Sequence, residues 1–152
     1  MDREHTYLCR LFKNKEYIKA IKYTSNCIKR DSNDEIIYIC YILVNIYNVE
    51  EQNGIQSHIF SSFEFHDNLS EIKDFYQNIK FLIRRFEYDL DINLKKQAMK
   101  YFEDIKISGI ALYLIVRYVC VDKEKVLKNL ILACKENDMR DVARQIKIML
   151  EC

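Results

Sequence analysis

Proline is absent from this chain of 152 residues, and glycine occurs twice, at Gly54 and Gly109. Sandwiches and barrels need many tight turns, and those turns draw on both residues. A chain almost free of them is best joined by short Asn, Asp, Ser and Lys links, which suit helices. Hydrophobic residues make up 49% and charged residues 31%, enough for a core and a solvated surface and too apolar for a disordered segment. A domain of this length buries roughly 70% of the surface its unfolded chain exposes. The abundant Ile, Lys, Asn and Tyr fit an A+T-rich coding bias, which blunts arguments from propensity alone.

Apolar spacing carries the next step. Residues 2–13 place Tyr7, Leu8, Leu11 and Phe12 on one stripe. After the link Lys13-Asn14-Lys15, residues 16–30 place Tyr17, Ala20, Ile21, Thr24, Cys27 and Ile28 on another. Asp31 to Asp34 closes that helix and can cap the next, over 35–48, which is apolar nearly all round and therefore central. A weaker helix containing Gly54 is expected over 50–60, then a loop over 61–67. Asn68 with Glu71 resembles a capping box for a helix over 69–86. Four more helices are expected, over 89–104, 108–121, 122–136 and 139–151, with Asn137-Asp138 as the last turn. No composition break divides the chain, so residues 1–152 are read as one domain.

Residues 1–34 are similar to one tetratricopeptide repeat, a helix–turn–helix unit of about 34 residues. The likeness is best in Tyr17-Ile18-Lys19-Ala20-Ile21, which resembles the family's aromatic-x-x-Ala-hydrophobic stretch. Ala20 and Cys27 stand where small side chains let two helices approach. Thr24 stands where a large aromatic is usual, Ser32 where Pro is usual, Glu4 where Trp is usual, and Leu8 at a usually small position. A second unit over 35–68 keeps the length, with Gly54 in the place of Ala20, and LILACKENDMRDVARQIKIML again looks like such a hairpin. The resemblance implies antiparallel hairpins stacked as a short α-solenoid of about eight to ten helices. A weaker likeness, in the helix order and the final DVARQIKIM hairpin, is to a shortened epsilon subunit of the coatomer vesicle coat.

Chemistry leaves fainter marks. The six cysteines show no C-x-x-C and no zinc-ligand spacing to His, and they read as free thiols. His66-Asp67 could orient a base, yet no nucleophile is fixed beside it by motif. Two isolated glycines build no phosphate loop. Glu50-Glu51 and Glu103-Asp104 read as helix-end charge patterning, and the basic doublets Arg84-Arg85 and Lys95-Lys96 as solvated faces. Tyr38, Tyr41 and Tyr47 could stack bases, but no basic groove surrounds them in the sequence. A net charge of +1 projects no field toward nucleic acid or an anionic membrane. The N-terminus MDREHTYLCR lacks an apolar signal core, and the most apolar stretches, 36–49 and 107–121, fall short of a membrane span.

The expectation is a cytoplasmic, non-enzymatic scaffold or adaptor that binds a protein or peptide segment, without cofactor, metal, nucleic acid or membrane insertion. A structural subunit of a larger assembly, coat-like, is the second expectation. In a tetratricopeptide-like array the first helix of each hairpin lines the concave face. For 35–48 that implicates Ile36, Ile39, Leu43, Ile46 and Tyr47 as partner-binding residues. Burial under later helices is the competing explanation for the same stripe.

Overall fold

The computed structural model describes residues 3–55, 70–88 and 91–151. They form eight helices and, among the described residues, no strand: α1 Arg3–Lys13, α2 Tyr17–Lys29, α3 Glu35–Gln52, α4 Ser70–Arg85, α5 Ile92–Asp104, α6 Gly109–Val119, α7 Lys123–Glu136 and α8 Arg140–Glu151. The chain is all-α, as the lack of turn residues predicts.

The helices start where short polar side chains can accept backbone N–H groups. Asp34 accepts from Ile36 at the head of α3, Asp91 from Asn93 and Leu94 at α5, Ser108 from Ala111 at α6, and Asp122 from Lys125 at α7. The helix expected from residue 89 therefore begins at Ile92, behind its cap.

α1 and α2 pair antiparallel: Tyr7 meets Tyr23 at 4.8 Å between ring centroids, and Glu4 lies beside Cys27. Ala20, Thr24 and Cys27 are buried along α2, as their apolar stripe requires. The Thr24 hydroxyl donates to the Ala20 carbonyl at 2.8 Å, which satisfies it without a distant partner. α2 then packs antiparallel on α3, with Tyr17 stacked on Tyr47 at 5.7 Å.

α3 and α6 are the interior helices. α3 touches α2, α4 and α6, and α6 touches α3, α4, α7 and α8. These are the two segments the sequence shows as apolar nearly all round, because a helix covered on several sides needs no polar face. The start of α3 lies beside the first two turns of α4: Glu35 accepts from Gln77 at 2.8 Å and pairs with Lys73 at 3.1 Å.

One boundary differs from expectation. The helix begun at Glu35 does not stop at Asn48 but continues to Gln52, and Gly54, at φ 68, closes it. Tyr47 and Glu50 are buried, so the apolar environment carries the helix past the expected break. Gly54 thus ends a helix and does not take the close-packing place of Ala20. The remainder of the expected 50–60 helix, the 61–67 loop, Asn68, His58, His66 and Cys152 lie outside the described residues.

Candidate functional site

Most of the partner-binding stripe expected on α3 faces inward. Ile39, Leu43, Ile46 and Tyr47 are buried, and Ile36 is half-buried against the same core. The helices around α3 cover this face, so a partner could reach at most Ile36 without opening the fold. Of the two explanations for that stripe, burial by the chain itself fits the observed packing.

The outward tyrosines behave differently. Tyr38 is exposed, while Tyr76 of α4 is buried and has its hydroxyl pKa raised by burial first and by Tyr38 and Tyr118 next. Tyr118 of α6 is raised by burial, Tyr41 and Tyr38. Residues from α3, α4 and α6 thus gather tyrosines on one side. Tyr47 is not part of this group, since it is stacked on Tyr17.

A more unusual surface lies along α4. Gln77, Lys80, Phe81, Arg84, Arg85 and Tyr88 line an open groove of about 430 Å³. Phe81 is 57% exposed and Tyr88 69% exposed. The Arg85 guanidinium sits 4.3 Å from the centre of the Phe81 ring, a cation–π contact on the exposed face. Large aromatics and arginine are the side chains that most often dominate binding energy at protein interfaces. Arg84-Arg85, a plain solvated face by sequence alone, thus flanks two exposed aromatic rings. Phe81 and Tyr88 were the missed signal, since neither belongs to the inward stripe of α4.

Glu50 departs from the sequence expectation in its burial, not in its place near a helix end. It reads as a helix-end charge, yet it is only 1% exposed and lies close enough to Tyr17 to help raise that hydroxyl's pKa, after burial and Glu51.

Nucleophile chemistry finds little support among the described thiols. Cys9, Cys27, Cys40, Cys120 and Cys134 are buried thiols outside any disulfide. Burial pushes Cys134 up to about 12, and burial with help from Glu87 does the same to Cys120. A thiol so shifted is a poor source of thiolate. His5 Nε2 lies 2.7 Å from Asp34 Oδ2 and ties α1 to the cap of α3. Among the described residues no group of three His, Cys, Asp or Glu side chains is placed to hold a metal ion, and no helix is long and apolar enough to cross a membrane.

No protein-family model, curated sequence or solved structure matches this chain. The likeness to tetratricopeptide repeats therefore rests on the residues quoted for it.

Proposed function

We propose that this chain is a non-enzymatic scaffold or adaptor, of tetratricopeptide-like type, that binds another protein or a peptide segment. One observation carries the reading: the α4 groove, where Phe81 and Tyr88 stand exposed among Lys80, Arg84 and Arg85. Holding such aromatics in water is unfavourable unless a partner covers them, and the stacked Arg85 lowers the entropy lost when one does.

Affinity capture from the source cell, with the Phe81→Ala/Tyr88→Ala double variant run beside the parent chain, tests it. A specific partner retained by the parent and lost by the variant, with both chains melting alike, supports the reading. Equal capture by both removes the α4 groove from the function.

The second reading is a structural subunit of a larger assembly, such as a vesicle coat. Val121, 89% exposed, together with the exposed Ile92 and Leu132, favours it, because none of these apolar side chains lines the α4 groove. An adaptor is expected to be monomeric in isolation, and an obligate subunit to self-associate through these residues.

A further inference from the structure

We infer that the groove between α7 and α8 is a docking site for an acidic protein segment, an inference that rests on the protein-binding reading above. The groove is open, about 420 Å³, and is lined by Lys135 of α7 and by Arg140, Ala143, Arg144 and Lys147 of α8. No acidic side chain lines it. Among the described residues, Arg144 alone of these cations holds a carboxylate, Asp141 at 3.1 Å. Both side chains of that pair are mostly exposed, so the pair is weak and readily exchanged. Arg140 stands at the border with a second groove, lined by Glu103, Lys106, Asp138 and Asp141, so the acidic side chains lie at one end of the stripe and Lys135, Arg144 and Lys147 line the first groove alone.

The spacing is what makes this more than scattered surface lysine. Arg140, Arg144 and Lys147 stand at i, i+4 and i+7 on α8, a single-face stripe about 10 Å long. Lys135 faces that stripe from the neighbouring helix. Lys147 is near enough to Lys135 for the proximity of the two ammonium groups to lower the pKa of Lys135. Two cations brought together across a groove repel, and an anion lodged between them turns the repulsion into attraction. Ala143, small and buried at the base, leaves room for an incoming backbone.

Charge complementarity selects the occupant. Carboxylates at i, i+4 and i+7 of a partner helix match the stripe in length and sign. A nucleic acid strand matches less well. No aromatic lines the groove to stack a base, and a net charge of +1 gives no wider field to track a phosphate backbone.

The test uses the full chain and a fluorescein-labelled helical peptide with glutamates at i, i+4 and i+7, followed by fluorescence anisotropy. Saturable binding is expected, weakening about tenfold or more between low and high salt. Arg144→Glu/Lys147→Glu should weaken it at least about tenfold, while Lys95→Glu/Lys96→Glu on α5, with the same change in net charge, should leave it within about twofold. An equal loss in both variants means bulk charge and overturns the site. Tighter binding of a single-stranded oligonucleotide, or full displacement by millimolar inorganic phosphate at matched ionic strength, overturns the assignment to a protein segment. A chain that ignores the peptide yet keeps a partner through Phe81 and Tyr88 overturns the groove and leaves the binding-module reading standing. One that binds in neither assay overturns both.

Discussion

The two glycines do unrelated work. Gly109 opens α6 where α8 crosses it. A Cβ there would collide with the Val142 carbonyl oxygen and lie 2.7 Å from Gln145 Cβ. Its amide donates to Gln145 Oε1 at 2.7 Å, so the close approach also satisfies a first-turn N–H of α6. Gly54 meets nothing within 4 Å but has a φ of +68, which L side chains rarely adopt. Gly109→Ala should therefore cost about 1–3 kcal/mol from overpacking against backbone, which cannot rotate aside as a side chain can. Gly54→Ala should cost about 1–2 kcal/mol from conformation alone. Adding Gln145→Ala should not rescue Gly109→Ala, because the Val142 carbonyl still blocks the site. Urea midpoints of the three variants check this, and a Gly109→Ala chain within error of the parent would mean that α6 and α8 are not so close. At Leu43, 1% exposed, a charge has no water and no partner built for it. Leu43→Glu should cost about 4 kcal/mol or more and unfold the isolated chain. A variant that keeps its melting temperature would return Leu43 to the surface and revive the partner-binding stripe.

Helix ends show a device that recurs through the molecule. α1, α2, α3, α5 and α7 each close with a positive-φ residue: Lys15, Asp31, Gly54, Lys106 and Asp138. In each case that residue's N–H bonds back three residues, and the next N–H reaches back five: for α5, Lys106 to Glu103 at 3.0 Å and Ile107 to Phe102 at 3.1 Å. Such paired bonds satisfy the last carbonyls of a helix, and buried Ile107 and Phe102 add the apolar contact that commonly goes with them. Four of these five positions carry a side chain where glycine is the least strained choice. Lys106→Gly should raise stability by roughly 0.5–1 kcal/mol, net of the extra freedom glycine gives the unfolded chain. Asp138→Gly should gain less, since Asp tolerates this region better. A Lys106→Gly chain less stable than the parent, by urea midpoint, would contradict this account of the α5 end. The same device explains what the sequence disclosed. The cap at Asp34 and the stripe of α2 follow from local chemistry and are readable in the sequence, whereas Ser108 and Asp122 are readable there only as helix starts. The end of α3 is not readable, because its length is set by neighbours covering Tyr47 and Glu50. Phe81 and Tyr88 are not legible in the sequence, because an outward aromatic has no periodic signature of its own.

At the scale of the whole molecule, burial acts in one direction on every shifted thiol and phenol among the described residues. Cys120 and Cys134 are raised from the ordinary value of 9.0 to about 12, and Tyr17, Tyr76, Tyr101 and Tyr118 are raised too, each with desolvation as the largest cause. Between about pH 9 and pH 12 the folded chain keeps protons that the unfolded chain releases. Stability then falls with pH, because the state that binds fewer protons is favoured as pH rises. This contribution is fully present below about pH 9 and is lost as pH passes through about 12. At pH 10 the loss should be on the order of 1 kcal/mol each for Cys120 and Cys134. The urea midpoint at pH 10 should lie clearly below that at pH 8, and Cys134→Ala should flatten the difference even though it lowers stability at both values. The same packing predicts slow chemistry in the native state. Cys9, Cys40 and Cys134 should react with a disulfide reagent only at the rate of opening, and all at once in denaturant. A Cys134→Ala chain whose midpoint falls between pH 8 and pH 10 as steeply as the parent's would show that the alkaline loss arises elsewhere than in the packing around α7.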